Sequence, residues 1–176
     1  MIRFVGLLRG VNVGGHNKLP MASLRDALDK TSFQSITTYI QTGNIVFSSK
    51  LEEAECEQII SEVLKSDFDL EAPVIVREQS YFETVLKANP FKTRTIDNSK
   101  SMSFGFLSEI PAQDKITVVE QMSSDLETFK IVDDVLYFYC GISLADTKFT
   151  NTWFEKKLGV ISTMRNYNTT LKLTQL

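Results

Sequence analysis

The sequence is poor in the residues that most often build metal, disulfide and histidine-dependent catalytic sites. It has two cysteines, Cys56 and Cys140, and a single histidine, His16, among 176 residues. The cysteines have neither the spacing of zinc ligands nor that of a disulfide framework, so we expect two buried thiols in a reducing cytoplasm. No nucleophile adjoins His16, so a Ser-His-Asp or Cys-His site is not indicated. The sequence predicts no metal and no cofactor.

Long hydrophobic runs and a strong net charge are also missing. The apolar run at residues 2–8 is interrupted by Arg3, is too short for a signal-peptide core or a membrane span, and precedes no small-residue cleavage site. We therefore expect a cytoplasmic protein with no membrane partner. The net charge of −3 argues against a surface wholly committed to nucleic acid, because neutralising phosphates takes clustered Lys and Arg. The net charge does not exclude a local basic patch.

Apolar periodicity in the first half predicts the order strand, helix, strand, strand, helix, strand. The predicted strands are residues 2–8, 36–41, 45–48 and 73–77, with Thr42-Gly43-Asn44 as a hairpin turn. This order is the βαββαβ pattern of a ferredoxin-like fold. In that topology the loop after the first strand and the hairpin turn emerge at the same end of the sheet. We therefore expect the loop's polar residues to lie near those of the turn.

The second half repeats the order strand, helix, strand, strand, helix, with a hairpin about Asp133-Asp134 and a helix at residues 147–158 ended by Gly159. A terminal helix is predicted at residues 163–173. The predicted fold class is α+β. It comprises a ferredoxin-like subdomain at residues 1–78, a helix and polar linker at 79–100, and a second, similar αβ subdomain with a C-terminal helix at 101–176.

Several long motifs resemble those of one protein family. They are LLRGVNVGGHNKLPMASLRDAL, TYIQTGNIVF, NPF, KFTNTWFEKKLG and TMRNYNTTLKL. Together they are similar to a widespread bacterial domain-of-unknown-function family, DUF1697-like, almost from end to end. The resemblance implies a compact α+β protein and brings no activity, substrate or catalytic residue. Members of the family often have Lys at the position of His16 and Trp at that of Tyr167.

The loop after the first strand is a candidate anion site. Glycines there allow positive φ and leave backbone amides facing outward, a helix N-terminus follows, and two cations flank the loop. The candidate residues are Arg9, Gly10, Asn12, Gly14, Gly15, Asn17 and Lys18. The loop is neither a P-loop nor a dinucleotide fingerprint. In an alternative that the sequence leaves equally open, the glycines only permit a tight crossover, and Asn12 and Asn17 bond their own backbone.

Two further polar groups are candidates for ligand binding. Gln41 and Asn44 flank the hairpin turn and offer amide donors and acceptors that suit a polar ligand or a base edge. The C-terminal group is Lys148, Asn151, Arg165 and Asn166. Spacing predicts that Lys148 and Asn151 share a helix face. It also predicts that Arg165 lies in the first turn of the last helix, where the dipole disfavours a cation. The alternative to a ligand site is an ion pair between Arg165 and a neighbouring carboxylate such as Glu155.

These groups lead to one hypothesis about the site and three about function. We predict that the C-terminal group faces the glycine loop across a groove between the subdomains, the alternative being that it only pins the last helix.

The leading function is binding of an anionic or nucleotide-like ligand, such as a nucleotide, a phosphorylated small molecule or single-stranded RNA. Tyr137 and Tyr139 could stack RNA bases, although sheet packing is favoured. The alternatives are an enzyme that stabilises charge with Arg9, Lys18 or Arg165, and a self-associating module.

Overall fold

The computed structural model describes the backbone of residues 1–176 and the side chains of residues 1–95 and 98–176. The chain divides into two compact units. The first comprises Met1–Glu83 with Leu173–Leu176, and the second comprises Thr84–Lys172. Within the described residues, no helix combines the length and the apolar character that crossing a membrane requires.

The first unit is a four-stranded antiparallel sheet packed against two helices. Its elements are β1 (Ile2–Leu8), α1 (Met21–Leu28), β2 (Gln34–Tyr39), β3 (Asn44–Ser49), α2 (Glu53–Phe68) and β4 (Val74–Glu78). The strand order is β2-β3-β1-β4. The predicted βαββαβ order is confirmed. Apolar side chains on one face of the sheet, such as Phe4 and Phe47, pack with Leu24 and Ile60 of the two helices to form the core.

A helical connection leads to the second unit. It consists of α3 (Gln79–Ala88), α4 (Lys92–Asp97) and a short 3-10 turn at Ser99–Ser101. The helix α4 lies in a stretch that its polar composition assigned to a linker. Local side-chain bonds explain its presence, because Asn89 accepts a hydrogen bond from Phe91 N at 2.9 Å and donates one to Thr95 Oγ1 at 2.9 Å.

The second unit repeats the plan of the first. Its elements are β5 (Met102–Leu107), α5 (Gln113–Glu120), β6 (Glu127–Val132), β7 (Val135–Cys140), α6 (Asn151–Leu158), β8 (Ser162–Asn166) and α7 (Tyr167–Leu173). The sheet order β6-β7-β5-β8 corresponds strand for strand to that of the first unit. A ferredoxin-like half followed by a similar αβ subdomain and a C-terminal helix is therefore confirmed.

The helix predicted at residues 163–173 was wrong in its first four residues. Residues Ser162–Asn166 form β8, which pairs with β5 in an antiparallel register that sets Arg165 opposite Phe104. Helical spacing of Tyr167 and Leu171 gave no information about the residues before them. The edge of β5 needs a partner for its backbone groups, and this long-range requirement makes the segment a strand. The helix α7 begins only after Asn166, whose Oδ1 accepts from Thr169 N at 2.8 Å.

The two tyrosines of β7 have different environments. Tyr137 is 2% exposed, and its hydroxyl donates to Val85 O at 3.4 Å. Burial, with smaller contributions from Asp133 and Asp134, raises the pKa of Tyr137 to about 12. Tyr139 is partly buried under the Arg94 guanidinium, whose Cζ lies 5.1 Å from the ring centroid. The favoured interpretation of Tyr137 as a packing residue is consistent with this burial.

Candidate functional site

The glycine-rich loop between β1 and α1 is a small hairpin. His16 N donates to Val13 O at 3.0 Å, and Asn12 N donates to Asn17 O at 3.1 Å. The two residues at the tip, Gly14 and Gly15, have φ of 58° and 80°. Positive φ at both central residues is the pattern of a type I′ turn, which glycine adopts without steric cost. The glycine pair therefore shapes a tight turn, and the tip it forms is exposed.

Asn12 joins this hairpin to the rest of the unit. Its Nδ2 donates to Leu19 O and to Gln41 O, both at 2.8 Å, and its Oδ1 accepts from Leu19 N at 2.8 Å. Nearby, Leu8 N donates to Gly43 O at 2.8 Å. The structure thus brings the loop after β1 beside the β2–β3 turn, where the ferredoxin-like topology predicts it.

Most of the predicted amide ligands in this region bond to the protein's own backbone. Asn17 Nδ2 donates to Gly10 O at 3.0 Å. Asn44 is fully buried, and its Nδ2 donates to Tyr39 O at 2.9 Å and to Thr42 Oγ1 at 3.1 Å. These bonds match the alternative in which the amides stabilise the loop and the turn. Ligand binding by this region stays a prediction. Of its two predicted cations, Lys18 is exposed and Arg9 is half-buried.

The C-terminal polar residues are arranged differently from the helical spacing predicted. Lys148 precedes Thr150, the N-cap of α6, so it shares no helix face with Asn151. Its Nζ lies 5.2 Å from the centre of the Phe149 ring. Asn151 is the first residue of α6, and its Nδ2 donates to Ser162 O at 2.8 Å. Its Oδ1 is buried and accepts no hydrogen bond from the described part of the chain.

Arg165 lies in β8, so its placement in the first turn of the last helix was wrong. The side chain is one of the few charged groups in the interior, with 8% of the residue exposed. Its Nη1 donates to Thr163 Oγ1 at 2.8 Å and to Met164 O at 2.9 Å. Burial lowers the pKa of Arg165 to about 10. The guanidinium therefore remains positively charged at neutral pH.

A cavity of about 380 Å³ in the second unit brings Asn151, Arg165 and Asn166 together. The other polar residues that line it are Ser103, Thr147 and Thr150. An apolar part is formed by Phe138, Leu144, Phe149 and Met164. This volume falls in the range of small-molecule sites, and the mixture of a few polar groups with an apolar wall is typical of them.

Sequence reasoning missed Ser103 and Thr147 as members of this site. Ser103 sits in an otherwise apolar strand, directly opposite Asn166 and Phe138 in the register. A single serine in a buried strand belongs to no repeating pattern, so its spacing could not mark it as part of a site. The hydroxyl of Thr147 donates to Glu127 Oε1 across 20 residues, a contact that no local pattern predicts.

The N-terminal and C-terminal polar groups lie in different units, so a single site shared by both stays a prediction. In the part of the chain with described side chains, no three His, Cys, Asp or Glu residues are grouped so as to hold a metal ion. The chemistry available in the second unit is that of a buried guanidinium, amides and hydroxyls. Such groups bind anions and polar molecules through charge-assisted hydrogen bonds.

Comparisons with known proteins identify a family. No curated protein matches the chain. The fold is similar to that of "conserved bacterial protein SP0830 from Streptococcus pneumoniae", with a TM-score of 0.76 and 23% identity over 99% of this chain and 97% of that chain. The family model described as "Protein of unknown function (DUF1697)" matches residues 1–137. The family resemblance is thus confirmed, and the chain belongs to the DUF1697 family of proteins of unknown function.

Proposed function

We propose that the protein binds a small anionic ligand, with the ligand's anionic group in the cavity beside Arg165. The observation that carries this proposal is a charged guanidinium that is 8% exposed and lines a cavity of ligand size. Within the second unit, Arg165 Nη1 donates to Thr163 Oγ1 and to Met164 O. A guanidinium donates charge-assisted hydrogen bonds to anions, which are stronger than bonds between neutral groups.

The start of α6 supports the same conclusion. Thr150 and Asn151 both line the cavity, and α6 begins at Asn151. Backbone N–H groups in the first turn of a helix carry partial positive charge and favour anions. The first turn of α6 contains no acidic residue that would neutralise this charge. The partial positive charge at the start of α6 and the positive charge of the Arg165 guanidinium therefore both favour an anion in the cavity.

Binding is better supported than acid–base catalysis at this cavity. Arg165 is the residue of its described lining whose pKa is shifted, and a guanidinium with a pKa of about 10 stays protonated at neutral pH. Such a group stabilises negative charge without transferring protons. An enzyme that only stabilises charge remains an alternative, as does self-association.

Replacing Arg165 by Met tests the proposal. We expect Arg165→Met to weaken binding of inorganic phosphate, acetate or a nucleoside monophosphate by roughly tenfold or more, because a charge-assisted hydrogen bond is lost. Titration calorimetry measures this affinity. The control is Arg77→Met, which removes an arginine from β4, the last strand of the first unit. Equal effects of the two substitutions, or no anion binding by the wild type, would contradict the proposal.

A second candidate site is the exposed tip of the glycine-rich hairpin, proposed here for a nucleotide-like ligand or single-stranded RNA. Val13 is 59% exposed at this tip, and His16 and Lys18 are exposed beside it. The side chains of Asn12 and Asn17 donate to Leu19 O and Gly10 O, and these bonds tie down the base of the hairpin. A hairpin held at its base costs less to order on a ligand.

We expect Lys18→Ala to weaken binding of a short single-stranded RNA and to reduce the slope of log affinity against log salt by about 0.7, the contribution of one phosphate contact. Stability should change little, because an exposed lysine contributes little to folding. Fluorescence anisotropy over a salt series measures both quantities. Lys50→Ala, also at an exposed lysine of the first unit, is the control. If the wild type, Lys18→Ala and Lys50→Ala all have the same salt slope, Lys18 is not a phosphate contact.

A further inference from the structure

Ile40, in the turn between β2 and β3, has a backbone conformation that isoleucine rarely adopts. Its φ is 48°, in the left-handed region. The side chain makes this region sterically costly, and a β-branched residue there is a genuine outlier. The other described non-glycine residues with positive φ are Asn12, Asn17, Ser35, Asp69 and Asp133. Those five are small and polar, so Ile40 is the one that needs a separate explanation.

Burial does not explain the strained conformation of Ile40. The residue is 46% exposed, so its packing offsets only part of the cost of the backbone conformation. Glycine or asparagine would form the same turn with less strain. Residues in strained conformations cluster at ligand clamps and active sites. The exposed side chain of Ile40 is therefore a candidate contact for a binding partner.

Ile40 lies beside the glycine-rich hairpin. Asn12 Nδ2 donates to Gln41 O at 2.8 Å, and this bond joins the residue before Val13 to the residue after Ile40. Val13 is 59% exposed and is a second exposed apolar side chain at this end of the sheet. Tyr39 is half-buried, and among the described side chains its ring contacts no other aromatic ring and its hydroxyl forms no hydrogen bond. Two aliphatic side chains and one aromatic ring therefore flank a single hydrogen bond.

The charge of this region is positive. Residues 9–20 and 39–44, which contain the hairpin and the turn, include no Asp or Glu. His16 and Lys18 are exposed there. The tip surface comprises Val13, His16, Lys18, Tyr39 and Ile40. A second copy of the chain is an unsuitable partner, because two-fold pairing would set this basic surface against itself.

We propose that the tip surface binds single-stranded RNA through its bases as well as through its phosphates. Lys18 would contact a phosphate, and the bases would lie against Tyr39 and Ile40. Binding would cover the exposed part of Ile40, which explains why a strained isoleucine occupies the turn. This inference rests on the second candidate site of the proposed function and adds the bases to what that site recognises.

The composition of the tip surface favours an RNA strand over a phosphorylated small molecule. Every base has a face that stacks on an aromatic ring, and unpaired bases can leave their own stack to do so. A small phosphorylated molecule would use Lys18 and would leave Val13 and Ile40 exposed. The competing occupant is an acidic segment of another protein, which would also pair with the cation.

Matched oligomers test the class of ligand on the wild-type protein. The probes are octauridylate, an abasic ribose-phosphate oligomer of the same length and an octaglutamate peptide, with affinities measured by fluorescence anisotropy at one salt concentration. We expect octauridylate to bind roughly tenfold more tightly than the abasic oligomer, the difference that stacking of one base produces. Tighter binding of octaglutamate than of octauridylate would assign the surface to an acidic protein segment and overturn the inference.

Lys18→Ala distinguishes failure of this inference from failure of the second candidate site. Equal affinities of the wild type for the two oligomers, both reduced by Lys18→Ala, would overturn the role of the bases and leave the phosphate site intact. If neither oligomer shows binding that depends on Lys18, both fail.

Substitutions at Ile40 separate a binding role from a structural one. Ile40→Gly removes the strained side chain, so we expect a higher melting temperature together with roughly tenfold weaker binding of octauridylate. Affinity for the abasic oligomer should not change. Ile40→Asn, which also tolerates positive φ, should show the same pattern.

Ile161→Gly is the control for loss of an exposed isoleucine. Ile161 lies in the second unit, is 42% exposed and is not among the residues with positive φ. Its replacement should lower the melting temperature, because glycine adds freedom to the unfolded chain, and should leave RNA binding unchanged. A lower melting temperature for Ile40→Gly, or unchanged binding of octauridylate by both Ile40 variants, would overturn the inference.

Discussion

Replacing Gly43 by Ala should lower the free energy of unfolding by about 3 to 4 kcal/mol, because the change adds backbone strain to a steric clash. Gly43 lies in the β2–β3 turn with φ of 78°. A Cβ built there would lie 2.6 Å from Val11 Cγ2 and 2.7 Å from Leu8 Cβ. Leu8 Cβ is part of a strand and cannot swing away. Urea denaturation followed by circular dichroism measures the loss.

Gly15→Ala separates the strain from the clash. Gly15 has φ of 80°, and a Cβ there would meet no atom within 4 Å. We expect a loss of about 1 kcal/mol, the cost of left-handed backbone for a residue with a side chain. Equal free energies of unfolding for Gly43→Ala and Gly15→Ala would contradict the predicted clash of a Cβ at position 43 with Leu8 and Val11.

Asn12→Ala should lower the free energy of unfolding by about 3 kcal/mol, because Asn12 makes three side-chain hydrogen bonds at a backbone φ of 54°. Each bond contributes about 0.5 to 1.5 kcal/mol, and left-handed backbone disfavours Ala relative to Asn. The substitution also removes the side-chain partner of both Leu19 N and Leu19 O. The same urea experiment measures this change.

Two other variants distinguish the causes. Asn12→Gly removes the three bonds without the backbone strain, so it should be more stable than Asn12→Ala. Asn17→Ala removes one bond, to Gly10 O, at a similar φ of 49°. It should cost about half as much as Asn12→Ala. Similar stabilities for Asn12→Ala and Asn17→Ala would show that Asn12 does not connect the loop to the hairpin turn.

The secondary structure of the first unit could be predicted from local patterns. Apolar residues at helical or alternating spacing, the Thr42-Gly43-Asn44 turn and the glycine-rich loop all report on their immediate neighbours. The βαββαβ order then implies that the loop and the turn meet, as the bond from Asn12 to Gln41 O shows. The type I′ geometry of Gly14 and Gly15 was harder to predict, because glycine permits several loop conformations.

The second unit shows where local patterns fail. Thr163 to Asn166 have no strong strand alternation, and the helical spacing of Tyr167 and Leu171 extends plausibly over them. Whether they form a strand depends on the free edge of β5, which lies some sixty residues earlier in the chain. For the same reason the sequence placed Arg165 on the wrong element.

The sequence by itself determined the family, the α+β class and the order of elements in the first unit, because these depend on periodicity and on motifs that are contiguous in the chain. The tertiary structure decided which polar residues lie together and which bond to the protein itself. It turned Asn12, Asn17 and Asn44 toward the backbone, and it placed Asn151 and Arg165 in one cavity. The physical reason is that hydrogen-bond partners and burial are set by strand pairing between distant segments, which local sequence does not encode.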